Sequence, residues 1–283
     1  MNITEYHNPE EFLSVLKNSM SASSDENDFM LGLVTVLIQD PSHFGTTPFL
    51  ATIEEQNQVK LAAFMTPPWP LLLYAEKTPQ NTLWSFFIDY LMNKLISLSG
   101  VNAKKELSDP FAHQWCIKND CKKTVKMHMK FFSLHQVQHI TPCGGSLLQA
   151  DTTHRGLILE WARQFNKEVQ IEENEQFIES HVDYTIRTGN AFLWIDNKPV
   201  CMMFRERPHE HGVSIGYVYT PNEHRGHGYA TNCVAAVSKR SLSEGYSHCT
   251  LFTDAANPTS NSIYQKIGYR YLCDYTYYDF IQQ

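Results

Sequence analysis

An α+β chain built from two similar halves is the fold class this sequence predicts. Three observations lead there. Stretches with helical spacing and stretches with period-two alternation succeed one another along all 283 residues, without a long run of either. One order of elements is readable twice, faintly before residue 140 and clearly after it. Between the two, Thr141-Pro142-Cys143-Gly144-Gly145 interrupts every periodicity. The expected domains are residues 1–140 and 145–283.

In the first half, Pro9 to Asn18 reads as a short helix with Phe12, Leu13 and Leu16 on its apolar side. The polar residues 21–28 read as a loop or cap, and Phe29 to Gln39 as a second helix. Strands are expected at Phe49 to Glu54, Val59 to Met65 and Leu71 to Ala75, with polar and proline-rich turns between them. Trp84, Phe87, Ile88, Leu91, Leu95 and Leu98 recur at helical spacing, with Thr82 as cap and Gly100 as stop. A shorter helix covers Asp109 to Lys118, and Lys126 to Val137 reads as a strand or strand pair.

The second half restarts with a strand at Ser146 to Ala150. A helix capped near Thr152 or Thr153 follows, carrying Ile158, Trp161, Ala162 and Phe165 on one face, and then a helix from about Asn174 to Arg187. Ala191 to Ile195 and Val200 to Phe204 form a hairpin-like pair. The closing segment, Tyr269 to Phe280, is rich in tyrosine and reads as one or two strands.

The most informative stretch runs from Val213 to Thr231. Val213, Ile215, Tyr217 and Tyr219 alternate with Ser214, Gly216 and Val218, which reads as a strand ended by Pro221. Two glycines one residue apart follow, and then Ala230, Cys233, Val234 and Val237 at helical spacing. Strand, glycine loop and helix aim free backbone N–H groups and a positive dipole end at an anion. Gly226 and Gly228 admit conformations closed to other residues and let a phosphate approach bare backbone. Ala230 keeps the first helical turn slim, Arg225 adds a fixed charge and Thr231 a hydroxyl. A glycine-containing connection that binds nothing is the alternative. The spacing is not that of a P-loop, since no Gly-Lys-Ser/Thr follows, and the third glycine of a dinucleotide fingerprint is missing.

Composition narrows the function classes. With 42% hydrophobic residues the chain can build a proper core, and its net charge of -7 argues against nucleic acid or an anionic membrane as partner. No apolar run reaches membrane-spanning length. The start, Met1-Asn2-Ile3-Thr4-Glu5-Tyr6, has no signal-peptide character. Seven cysteines without a C-x-x-C pair do not suggest a disulfide framework, so a cytoplasmic location is expected. His209, His211, His224 and His227 lack the Cys or carboxylate spacing of a structural zinc site, and no metal is expected.

Arg225-Gly226-His227-Gly228-Tyr229-Ala230 fits at every fixed position the Gln/Arg-x-x-Gly-x-Gly/Ala pyrophosphate loop of the GNAT superfamily of acyl-CoA-dependent N-acyltransferases. Downstream, Leu251-Phe252-Thr253-Asp254 looks like the family's following strand. Asn257 and the run Ser262-Ile263-Tyr264-Gln265-Lys266-Ile267-Gly268-Tyr269 look like its Asn…Leu-Tyr-x-Lys-x-Gly-Phe motif. The resemblance covers roughly residues 145 to 283. It implies a GNAT fold with a splayed strand pair at the CoA site, and acetyl-CoA as acyl donor. Main-chain groups around Val218 and Tyr219 would meet the pantetheine arm. The amides of Gly226, His227, Gly228, Tyr229, Ala230 and Thr231 would hold the pyrophosphate, and Asn257 would contact the cofactor. Tyr264 matches the tyrosine that commonly protonates the leaving thiolate.

The implied reaction is direct attack by a small-molecule or protein amine. A non-catalytic acyl-CoA-binding module with a protein partner is the alternative. Glu206, His209, Glu210 and His211, crowding the turn before the glycine-loop strand, read as solvated charges or as substrate or base groups. The first half resembles a GNAT copy that has lost its CoA site, because Glu76-Lys77-Thr78-Pro79-Gln80-Asn81 holds no glycine. An unrelated α+β domain is the alternative there.

Overall fold

Among the described residues, ten strands and α-helices occur in the order β-α-α-β-β-β-α-β-α-β, and then the same ten occur again. The computed structural model describes residues 1–20, 25–171 and 174–282; of the polar 21–28 stretch, residues 21–24 lie outside the described residues. The first set is β1 (Asn2–Glu5), α1 (Pro9–Ser19), α2 (Asp28–Gln39), β2 (Phe49–Glu55), β3 (Gln58–Met65), β4 (Leu71–Tyr74), α3 (Asn81–Asn93), β5 (Gly100–Lys104), α4 (Lys105–Asn119) and β6 (Cys121–Leu134). The second is β7 (Ser146–Gln149), α5 (Arg155–Glu168), α6 (Glu175–Arg187), β8 (Ala191–Asp196), β9 (Lys198–Glu206), β10 (Gly212–Tyr219), α7 (Tyr229–Ser243), β11 (His248–Asp254), α8 (Pro258–Ile267) and β12 (Arg270–Gln282). This is the mixed α+β architecture expected from the sequence. Among the described residues no helix is long and apolar enough to cross a membrane.

Two compact units result. One comprises Met1–Phe131, Thr253–Ala256 and Leu272–Gln283, the other Phe132–Phe252 and Asn257–Tyr271. A single cut near residues 141–145 therefore does not describe them: the tyrosine-rich C-terminal strand belongs with the first unit. The reason lies in its pairing and burial. Tyr275 to Asp279 pair antiparallel with Gly100 to Lys104, and Tyr275 and Tyr278 are 3% and 8% exposed. Aromatic side chains of this size stay where that apolar area is covered.

Within the first unit, β2, β3 and β4 form an antiparallel meander, β1 adds to β2, and β4 runs parallel to β5. The helix expected through Leu98 ends earlier. Leu95 adopts φ 55, Ile96 N–H donates to the Leu91 carbonyl at 3.0 Å, and the Leu95 side chain is 90% exposed. This is the left-handed stop that usually carries glycine. Leu98 returns to the core from the following loop. Spacing alone could not separate the two leucines. The short strand β1 was also not expected, being four residues whose signal is weak.

In the second unit, β7, β8, β9 and β10 are antiparallel in sequence and β10 pairs parallel with β11. The period of two sends alternate side chains to two cores. Phe192, Trp194, Cys201 and Met203 pack with Cys233, Val234 and Val237 of α7 on one face. Leu193, Met202 and Phe204 pack with Ile158, Trp161 and Val182 of α5 and α6 on the other. Helix α6 opens on Asn174, whose Oδ1 accepts from the Phe177 N–H at 2.7 Å. It closes through Gly189 at φ 69.

Candidate functional site

Strand β10 changes character at its middle. Its parallel pairing with β11 runs from Gly212↔His248 to Ile215↔Leu251. Beyond that, β10 continues to Tyr219 and β11 to Asp254, past the end of their paired register. On the other edge, the register with β9 shifts between Gly216 and Tyr219, and Tyr217 has φ 49. A bulge of this kind bends a strand and reverses which face its residues take. Val213 and Ile215 lie in the core beneath α7, whereas Tyr217 and Tyr219 pack on the α5–α6 side and Val218 against the α7 side. The simple alternation read from the sequence put all four large residues on one face; the bulge corrects that.

After Pro221, a single 3-10 turn (Asn222–His224) leads to Arg225 and the glycines. Gly226 and Gly228 both have φ +81, a region that side-chain-bearing residues rarely adopt. A Cβ on Gly226 would meet nothing within 4 Å, and one on Gly228 only Asn232 Nδ2 at 3.7 Å and Cys143 Cβ at 3.9 Å. The loop thus presents exposed backbone with open space at both glycines. It ends at the start of α7, where Gly228 occupies the cap position and no side chain caps the helix. The first N–H groups of α7 are therefore available to an anion. Ala230 and Thr231 are half-buried in the first turn. These residues fit a diphosphate-bearing ligand.

The polar side chains around the loop are already engaged. Arg225 Nη2 reaches Glu168 Oε2 of α5 at 2.6 Å, and its Nε donates to the Thr220 carbonyl at 2.8 Å. His227 stacks on Tyr229 with ring centres 5.5 Å apart, and the Tyr229 hydroxyl donates to Asp196 at 2.5 Å, a bond that raises the Tyr229 phenol above its ordinary value. Asn232 fastens the start of α7 through bonds to the Gly228 and Thr141 carbonyls. Arg225 therefore does not point a free charge at the loop; it ties the loop to α5.

Two site residues come from α8. Asn257 caps this helix, its Oδ1 accepting from Ser260 N–H at 3.0 Å. Tyr264 lies buried in the core cluster that holds Ile215 and Leu251, the last paired residues of the two strands. Its ring meets Tyr269 edge-on at 6.0 Å, and burial pushes its phenol well above the ordinary tyrosine value. Such a phenol is a neutral proton donor throughout the neutral range.

Glu206 is the residue that sequence reasoning misplaced. Rather than a solvated turn charge, it is the 7% exposed last residue of β9, bonded to His181 of α6 at 2.9 Å. A signal was present: Glu206 continues the alternation of Met202 and Phe204, which face α5 and α6. His211 and Glu210 are exposed, as expected for turn charges.

Comparison with known proteins agrees with this geometry. The family model of the FR47-like proteins matches residues 195–278, which span β10, the glycine loop, α7, β11 and α8. A search of curated proteins by sequence finds no match. Solved structures are similar along the whole chain. A GNAT-family acetyltransferase from Colwellia psychrerythraea aligns with 100% of both chains at 12% identity and TM-score 0.62. A GCN5-related N-acetyltransferase from Sphaerobacter thermophilus aligns over 99% of this chain and 96% of its own, at 10% identity and TM-score 0.65. A tandem GNAT protein from the clavulanic acid biosynthesis pathway covers 98% and is covered over 97%, at 12% identity and TM-score 0.59. At these identities the likeness is one of fold, and the fold is that of the GNAT acetyltransferases in tandem form.

Proposed function

We propose that the second unit binds acetyl-CoA and transfers its acetyl group to an amine. One observation carries the reading: β10 parts from β11 at Ile215 and Leu251 just before two positive-φ glycines at the start of α7. The parting leaves main-chain groups of Val218 and Tyr219 for the pantetheine arm. The glycines and the first turn of α7 offer N–H groups to the pyrophosphate. Acetyl-CoA supplies an activated thioester. The protein supplies alignment, hydrogen-bond donors on β10 for the developing oxyanion, and the Tyr264 proton for the departing sulfur. Asn257 and Thr231 border the same ligand in this proposal.

Seven free thiols suit a reducing compartment such as the cytoplasm. No step in this scheme calls on a metal. The test is consumption of acetyl-CoA with release of free thiol across a panel of primary amines. Thiol release that rises with amine concentration supports transfer. CoA binding without any amine-dependent thiol release would leave a binding module instead.

A further inference from the structure

Between β6 and β7 the chain forms a strap that is pinned to its own unit at several points. Gln138 N–H donates to the Ile267 carbonyl of α8 at 2.8 Å. Further on, Cys143 N–H donates to Asn232 Oδ1 at 3.4 Å, and Asn232 Nδ2 donates to the Thr141 carbonyl at 3.3 Å. Trp194 Nε1 donates to the Gly144 carbonyl at 2.8 Å. The strap, α7 and Trp194 of β8 enclose a cavity of about 670 Å³, a size that suits a small molecule.

Two features set the chemistry of this cavity. Its apolar lining includes Val137 and Ile140 of the strap and Ala236 and Leu242 of α7, all of them only half-buried. Apolar walls left against water favour an apolar guest. The second feature is charge. The titratable groups of the lining are Lys239, His135 and His139, with no carboxylate among them, although acidic residues outnumber lysine and arginine 30 to 23 in the chain. On α7, Arg240 is already bonded to Glu244 and Gln149. Its neighbour Lys239 is exposed and makes no ion pair or hydrogen bond among the described residues. A lysine offers one compact positive charge, which matches a single anionic group.

We infer that this cavity is a second ligand site and takes a medium-chain alkyl carboxylate. The alkyl chain lies against Val137, Ile140, Ala236 and Leu242, and the carboxylate meets Lys239. The inference stands apart from the acetyltransferase reading, because none of the residues assigned above to acetyl-CoA lines the cavity. Asn232, one residue past Thr231, is where the two sites come nearest in sequence.

Calorimetric titration of the whole chain with octanoate, hexanoate and octylamine, alone and in excess CoA, tests this. One octanoate site per chain is expected. Full burial gives roughly fourfold in affinity per CH₂, so octanoate should bind at least about fivefold more tightly than hexanoate. Octylamine, of the same length and opposite charge, should bind at least about tenfold more weakly than octanoate. Lys239→Glu alters an exposed side chain, so thermal unfolding should be unchanged while octanoate affinity falls at least about tenfold. Ala236→Phe should fill the cavity and weaken both carboxylates, with melting and CoA affinity as checks on its folding. Excess CoA should leave octanoate binding unaltered. Absence of octanoate binding to the parent would overturn the inference, as would equal affinity for octylamine or indifference to Lys239→Glu. Indifference to chain length would reduce the site to surface ion pairing and overturn it too. Displacement of octanoate by CoA would assign the cavity to the cofactor site instead.

Discussion

Strands β4 and β10 hold corresponding places in the two units. Each is the third strand of an antiparallel meander, each runs parallel to the strand after the next helix, and each leads through a loop into that helix. They differ where a ligand would matter. β4 pairs with β5 through Leu73 and stops one residue later, at Tyr74. β10 runs four residues beyond its last pair with β11, through a bulge. The loop after β4 contains Pro79, which has no N–H, and no glycine, whereas the loop after β10 has two glycines at φ +81. The first unit shows that these elements can be built without bulge or glycines. Those features in the second unit are therefore surplus to the fold, which is why the proposed ligand site is assigned to them.

The comparison can be broken most sharply at Tyr264. Tyr264→Phe keeps the ring and its packing but removes the proton, so turnover should fall about 10²–10⁴-fold while CoA affinity stays constant. Parallel losses of stability and activity would return this residue to the core alone. The same phenol makes a pH prediction. Burial raises its folded-state value above an unfolded value near 10, so the unfolded chain loses this proton first as pH rises. Its share of stability is intact at neutral pH and is lost above about pH 10. Denaturation of Tyr264→Phe should show a shallower alkaline decline than the parent; an identical slope would contradict that.

Gly228→Val is the next largest. A branched side chain at φ +81 strains the backbone and fills the open space beside it, and CoA affinity should weaken at least about tenfold, or 1.4 kcal/mol. Thr78→Gly, in the loop after β4, should leave CoA affinity as it was. A smaller effect is expected at the loop's tie to α5. Arg225 and Glu168 are 42% and 49% exposed, so their ion pair contributes about 0–1 kcal/mol. Glu168→Gln should free Arg225 for the diphosphate and tighten CoA binding by a few-fold; weaker binding would show that the tie shapes the loop. Smallest is Leu95→Gly, which relieves a left-handed leucine and should raise the melting temperature by the equivalent of about 0.5–1 kcal/mol.

The contrast between helix ends also explains what the sequence could and could not convey. Helix α7 ends at Gly245, φ +109, and α6 at Gly189, φ +69, both legible as stops. Helix α3 makes the same kind of turn at Leu95, where residue type points the other way and the apolar spacing runs on through Leu98. The glycine loop was legible because its conformation demands particular residues. The β10 bulge was not, since Gly216-Tyr217-Val218-Tyr219 alternates as an ordinary strand does. The His181–Glu206 pair joins residues 25 apart in sequence, and only the packing of α6 on β9 brings them together. The C-terminal strand was read correctly as a strand, but its partner β5 is remote in sequence and left no local sign.

The central claim is that one unit of this chain carries a CoA site and its structural counterpart does not. Calorimetric titration of the whole chain with CoA tests it most directly. A single site per chain, lost in Gly228→Val and kept in Thr78→Gly, is the result the account predicts. Two equivalent sites per chain, or a single site indifferent to Gly228→Val, would contradict it.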